Sequence, residues 1–190
     1  EDFDPDKEYP LIVSVYGGPG SGSVSNRYRE GYATYNKKGY LVAQFDNRGT
    51  AGRGKAFKNA VYKKLGQVDI ADQAAGVKFL RRRSYIDGNR VGIVGHSYGG
   101  FMAAIGIVKY PDLFQAAVDR AGPTTWKNYD SIYTERYMSL PQENKEGYEK
   151  STVMNYVDNL KGHLLIMHGL VDDNVHPTNA WQLIDALDKA

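Results

Sequence analysis

The chain of 190 residues contains no cysteine. That excludes disulfide bridges, thiol nucleophiles and thiolate metal sites, and leaves the compartment open. It also lacks a charge bias: 24 Lys and Arg against 22 Asp and Glu give a formal net charge of +2. Near balance argues for neither a nucleic-acid partner nor an anionic membrane surface. Arg81-Arg82-Arg83 is a lone basic cluster, placed where an expected helix ends and cations complement its dipole. No apolar run is long enough to cross a membrane, and no segment reads as a signal peptide. Repeats, linkers and low-complexity tracts are missing too. No His and Glu pair has ligand spacing, so neither a metal nor a cofactor is expected. The first residue is not methionine and the last ones run into an amphipathic pattern, which reads as a piece cut from a longer chain. The length suits one domain with a real core.

What the chain does have is Val91-Gly92-Ile93-Val94-Gly95-His96-Ser97-Tyr98-Gly99-Gly100. A β-branched run stops at a glycine, a serine follows, and an apolar, small-residue helix begins. This is the strand, sharp turn and helix of a nucleophile elbow, G-x-S-x-G. The serine needs a strained backbone to stand clear of the sheet, and its neighbours must be glycine to avoid a clash. The helix N-terminus then favours developing negative charge at the same spot. A glycine-rich turn whose serine only caps a helix is the alternative. The strand before and the helix after favour the elbow.

Periodicity places the other elements around it. Strands are expected over Leu11–Tyr16, Leu41–Phe45, Val91–Val94, Phe114–Val118 and Leu164–Met167. Helices are expected over Val68–Arg82, with Ile70, Ala74, Val77 and Leu80 near one face, and over Phe101–Tyr110. Pro177 opens a last helix with Ala180, Leu183, Ile184 and Leu187 on its apolar side. The tyrosine-rich stretch 124–159 reads as irregular, with short helices. Strands alternating with helices give an α/β fold with a mostly parallel sheet covered on both faces. Ligands gather at the carboxyl ends of such strands, and Tyr16, Ser97 and Asp172 all lie at or past one.

A serine hydroxyl needs a base, and the base needs an orienting carboxylate. In the α/β-hydrolase arrangement the order is Ser, then Asp or Glu, then His. His168-Gly169-Leu170-Val171-Asp172-Asp173-Asn174-Val175 follows the last strand and supplies the acid. Asp172 is taken as that acid, with Asp173 as its rival. None of the four histidines suits the base. His163 begins its strand, His168 precedes the acid, His96 sits inside the elbow, and His176 follows Asp172 by only four residues. The base is therefore expected beyond Ala190. One oxyanion donor is the amide of Tyr98, the residue after the nucleophile. The second comes from the loop after the first strand, either as a glycine amide of Gly17-Gly18 or as the Tyr16 hydroxyl.

Four blocks together resemble the prolyl oligopeptidase family of serine peptidases, in its dipeptidyl peptidase IV branch. They are Gly95-His96-Ser97-Tyr98-Gly99-Gly100, Val15-Tyr16-Gly17-Gly18-Pro19, Tyr129-Asp130-Ser131-Ile132-Tyr133-Thr134-Glu135-Arg136-Tyr137-Met138, and His168-Gly169-x-x-Asp172-Asp173-Asn174-Val175-His176. The similarity runs from about Tyr9 to the end. It implies an acyl-enzyme peptidase acting on peptides, cleaving after proline or alanine near the substrate N-terminus. It implies that Ser97 is the nucleophile, Asp172 the triad acid, and the Tyr16 hydroxyl an oxyanion donor beside the Tyr98 amide. Tyr98, Trp126, Tyr129, Tyr133 and Val175 would line the slot for the residue before the cut, and Asn174 would hold the preceding carbonyl. A flat ring suits such a slot of aromatic faces. Glu135-Arg136-Tyr137 is read as structural. The resemblance further implies that residues 1–190 are a partial α/β-hydrolase catalytic domain lacking its last strand and helix. An N-terminal β-propeller and a C-terminal segment bearing the histidine would lie outside it, and this piece alone would be inactive. A homodimer of the full-length protein is compatible with it. Two departures stand out: His96 replaces a common tryptophan, and Ala121-Gly122-Pro123 sets the proline one place late. An esterase or acylaminoacyl peptidase of the same fold, and a non-catalytic binding relative, are the competing readings.

Overall fold

A computed structural model describes residues 3–27 and 29–190. Of the polar lead-in expected over 1–10, Glu1 and Asp2 lie outside the described residues, and Tyr9 and Pro10 already belong to the sheet. Five strands form one parallel sheet: β1 (Tyr9–Val15), β2 (Leu41–Ala43), β3 (Ile86–His96), β4 (Ala116–Arg120) and β5 (His163–Met167). Their order across the sheet is β2-β1-β3-β4-β5. Every pairing is parallel. The α/β class and the α/β-hydrolase arrangement expected from the sequence are what the chain adopts.

Alternation decides which side of each strand faces the densest core. Leu11, Val13 and Val15 of β1 and Val91 and Ile93 of β3 are at most 6% exposed, whereas Ile12, Ser14, Gly92 and Val94 are half-buried. The first set shares one buried core with residues of α3 (Val68–Leu80) and α4 (Tyr98–Lys109). A Cβ placed on Gly106 of α4 would sit 3.0 Å from Ile70 of α3 and 3.5 Å from Ile93 of β3. Helix α4 is buried from Tyr98 through Val108 without a break. A helix apolar all round belongs in the interior, and its small residues let it lie close on the sheet.

Several expected boundaries move. Strand β3 is longer than Val91–Val94, because Ile86 and Asp87 pair with Tyr9 and Pro10 before a bulge at Pro10/Leu11. Strand β4 runs 116–120 rather than 114–118. Phe114 is instead a fully buried anchor before the strand, and the polar Asp119 and Arg120, beyond the expected end, continue the ladder. Helices α1 (Ala33–Lys37) and α2 (Gly54–Asn59) were not expected at all. In α7 (Thr178–Asp188) Ala180 and Leu183 are buried as expected, but Ile184 is 43% exposed beside Trp181. The stretch 124–159 resolves into 3-10 turns at Trp126–Asn128 and Val153–Asn159 around α5 (Ser131–Met138) and α6 (Lys145–Ser151).

Candidate active site

The site is built at the carboxyl edge of the sheet. Ser97 has φ 57 and ψ −120, a left-handed conformation that a side-chain-bearing residue rarely adopts. Two hydrogen bonds hold it there: its N–H donates to Arg120 O at 2.8 Å, and its carbonyl accepts the Phe101 N–H at 3.1 Å. Neighbouring strands end level with it, since His96, Arg120 and Met167 are register partners across β3, β4 and β5. The glycines on either side are obligatory. A Cβ on Gly95 would sit 2.3 Å from the Gly99 carbonyl group, and one on Gly99 only 2.2 Å from Val15 O.

Beside Ser97, the loop after β1 brings Tyr16 to the same edge. Its ring centroid lies 6.1 Å from that of Tyr98, and it remains 40% exposed. Burial, and then the nearby hydroxyls of Tyr129 and Tyr137, raise its pKa above the usual phenol value, so it stays protonated and able to donate. Gly18 turns beneath both rings: a Cβ there would come within 2.8 Å of Tyr16 and 3.2 Å of Tyr98. The loop is tied down by a residue that sequence reasoning passed over. Asn47 is 2% exposed and donates to Gly17 O at 3.0 Å, while its own oxygen accepts Gln73 Nε2 at 2.8 Å. The signal was Asp46-Asn47-Arg48-Gly49, read only as a turn.

Aromatic rings fill the space next to Tyr98. Trp126 stacks on Tyr133 at 5.9 Å, meets Tyr129 edge-on at 6.0 Å and lies 5.5 Å from Tyr98. Burial, with the hydroxyls of Tyr16, Tyr137 and Tyr129 close by, raises the Tyr133 pKa far above its ordinary value. Those four hydroxyls therefore share one region. Trp126 and Tyr98 are 2% and 3% exposed, so they lie beneath this aromatic cluster rather than on its open side. Tyr137, expected to be purely structural, belongs to the cluster: it follows Tyr133 by one helical turn and lies 4.8 Å from it. Asp130 fixes where α5 begins by accepting the Tyr133 N–H at 2.8 Å. Replacing Asp130 with alanine is expected to cost about 1 kcal/mol through the lost cap. Thermal denaturation of the variant against wild type checks it.

The loop after β5 carries the acid pair. Asp172 Oδ1 accepts the N–H groups of Asn174 at 3.1 Å and Val175 at 2.9 Å, so this carboxylate is held in place. Asp173 is exposed. Asn174 accepts the Tyr129 hydroxyl at 3.1 Å, which joins the acid loop to the aromatic slot. Val175, expected to line the slot, is 2% exposed and lies within the fold. Its carbonyl is bonded to His168 Nε2 at 2.6 Å. The His168 ring is 7% exposed and 3.7 Å from Asp172 Oδ2, so it acts as a strut under the loop. His176 is bound to Thr178 at 2.7 Å, and His96 and His163 are exposed. Ser97, Tyr98, Trp126, Tyr129, Asn174 and Asp172 thus form one continuous path along the sheet edge.

The family model described as "Prolyl oligopeptidase family" matches residues 26–190. The chain belongs to the prolyl oligopeptidase family of serine peptidases. Among family members, "Probable dipeptidyl-aminopeptidase B" of Arthroderma gypseum is 42% identical over 190 residues, 98% of this chain and 21% of its own length. "Prolyl endopeptidase FAP" of Mus musculus is 40% identical, over 97% of this chain and 25% of its own. The crystal structure of Porphyromonas gingivalis dipeptidyl peptidase 4 superimposes with a TM-score of 0.95 at 39% identity, covering 99% of this chain and 27% of that one. The chain therefore spans about a fifth to a quarter of the length of these relatives. No helix among the described residues is long and apolar enough to cross a membrane.

Proposed function

We propose that this chain carries the nucleophile and the acid of a serine exopeptidase that cleaves after proline or alanine through an acyl-enzyme. The observation that carries the reading is the Ser97 backbone, held at φ 57 between β3 and the buried helix α4. Strain of that kind persists only where the surroundings over-determine it, and in this reading it serves to present the Ser97 hydroxyl to the substrate. In this mechanism Ser97 Oγ attacks the scissile carbonyl while a histidine takes its proton. His168 and His176 are bonded elsewhere, His163 begins β5 at the opposite end of that strand, and His96 is the exposed elbow residue before Ser97, so the base is assigned to a segment outside residues 1–190. Asp172 would orient that imidazole with Oδ2, since Oδ1 is occupied by backbone amides. The tetrahedral oxyanion would be met by the Tyr98 amide and the Tyr16 hydroxyl. A proline ring would rest on Trp126 between Tyr129 and Tyr133, with Asn174 reaching the preceding carbonyl.

The full-length protein tests it. Ser97→Ala should keep the fold and lose hydrolysis of an Ala-Pro anilide by at least about a thousandfold. Unchanged turnover would defeat the assignment. Wild type should be captured covalently at Ser97 by a fluorophosphonate and should prefer the anilide to a short-chain ester. The reverse preference would favour the esterase reading.

A further inference from the structure

Behind the elbow lies a carboxylate that the chemistry above does not use. Asp69, in the first turn of α3, is 0% exposed. Its Oδ1 accepts the Ile70 N–H at 2.9 Å. Its Oδ2 accepts the Gly66 N–H at 3.1 Å and the Tyr98 hydroxyl at 2.5 Å. A carboxylate at a helix start accounts for the two amides, which any acidic residue there would take. It does not account for the phenol, which arrives from a different element 29 residues later. A buried hydroxyl without a partner is costly, and a charged acceptor gives the stronger bond.

The far end of that phenol is the active-site edge. The Tyr98 amide is the one beside Ser97. Its ring meets Phe101 edge-on at 5.5 Å, lies 5.5 Å from Trp126, and carries Tyr16 at 6.1 Å. The backbone of Tyr98 is fixed at the start of α4, and its hydroxyl is fixed by α3. The ring is thus held at both ends. Gly66 secures the anchor from behind. Its φ is 69, and a Cβ there would come within 2.4 Å of the Phe101 ring. Its carbonyl accepts Lys109 Nζ at 3.0 Å. Burial lowers the Lys109 pKa to about 8 while the Asp69 charge opposes that fall, so the two groups sense each other across Gly66.

We propose that Asp69 is a positioning residue for the elbow: by holding the Tyr98 hydroxyl it fixes the floor of the aromatic slot and the amide beside Ser97. This rests on the peptidase reading. The loss of a buried, charge-assisted bond predicts a defect in turnover, not only in folding.

The test uses the full-length protein as wild type, Tyr98→Phe, Asp69→Asn and the double variant. Sites are first counted by fluorophosphonate titration, so that misfolded molecules drop out. Each single variant should lower kcat/KM per titrated site for an Ala-Pro anilide about tenfold. The double should be no worse than the weaker single, because both remove one interaction. Unchanged kcat/KM per site in Tyr98→Phe, or losses that multiply in the double, would overturn the assignment while leaving the peptidase intact. A wild type that neither turns over nor titrates would remove the peptidase reading and this inference together.

Discussion

Gly99→Ala is expected to destabilise the fold by about 3 kcal/mol or more, and to lower activity in whatever folds. The added Cβ would stand 2.2 Å from Val15 O and 3.1 Å from the Tyr16 Cα. Neither neighbour is the end of a flexible side chain. Val15 closes β1, whose register with β3 is set residue by residue from Leu11 to Val15. Relief must come from moving α4 off the sheet or pushing the Tyr16 loop outward. The first breaks into a helix buried from Tyr98 through Val108, and the second carries away the Tyr16 hydroxyl proposed above as an oxyanion donor. Native domains are stable by only about 5–15 kcal/mol, so the loss is a large share. Gly95→Ala should behave alike, for its Cβ would meet the Gly99 carbonyl group at 2.3 Å. Gly31→Ala is the control, with nothing within 4 Å of its Cβ. Urea midpoints and the titratable fraction of sites separate the three. Equal midpoints for Gly99→Ala and Gly31→Ala would show that the elbow is looser than the contacts require.

Much of this was legible in the chain because the signals were local. A strand, a glycine-flanked serine and an apolar helix are contiguous, and each obeys its own period. The same holds for β1, α3 and β5, whose expected spans agree with the structure to within two residues. Failures fall where a partner distant in sequence decides. Asp119 and Arg120 are polar and lie beyond the expected strand end at Val118, yet β4 continues through them because Ser97 N–H and the neighbouring ladder bond to it. Asn47 looked like a turn residue, and only the fold shows it buried against Gly17 and Gln73. Asp69 was not singled out in the sequence, and nothing short of three dimensions brings Tyr98 to it. The slot was named from resemblance, but exposure redistributes its parts. Trp126, Tyr98 and Val175 lie beneath, and Tyr137 joins from a stretch read as structural.

Asp119 should impose a pH dependence on stability that an asparagine abolishes. Its side chain is 1% exposed, and burial pushes its pKa up to about 6, against the opposing pull of the Gly122 N–H and of His168. The sign follows from where the proton is held more tightly. The folded state binds it with the higher pKa, so between about pH 4 and pH 6 the unfolded chain ionises first. The contribution of Asp119 to stability is greatest below pH 4, falls across that window and levels off above it. A shift of roughly two units corresponds to about 3 kcal/mol at most. Asp119→Asn keeps the shape and an oxygen for the Gly122 N–H, now accepted at 2.8 Å, but has no charge to bury. Shape matters because Asp119 Oδ1 would lie only 2.4 Å from a Cβ on Gly100, so a larger apolar residue has no room beside the elbow helix. The variant should match wild type at pH 4 and exceed it by about 2–3 kcal/mol at pH 7.5. Urea denaturation of both proteins from pH 4 to 8 reads this directly. Parallel profiles would mean that His168 or water compensates the charge, and that Asp119 is ionised in the fold without penalty.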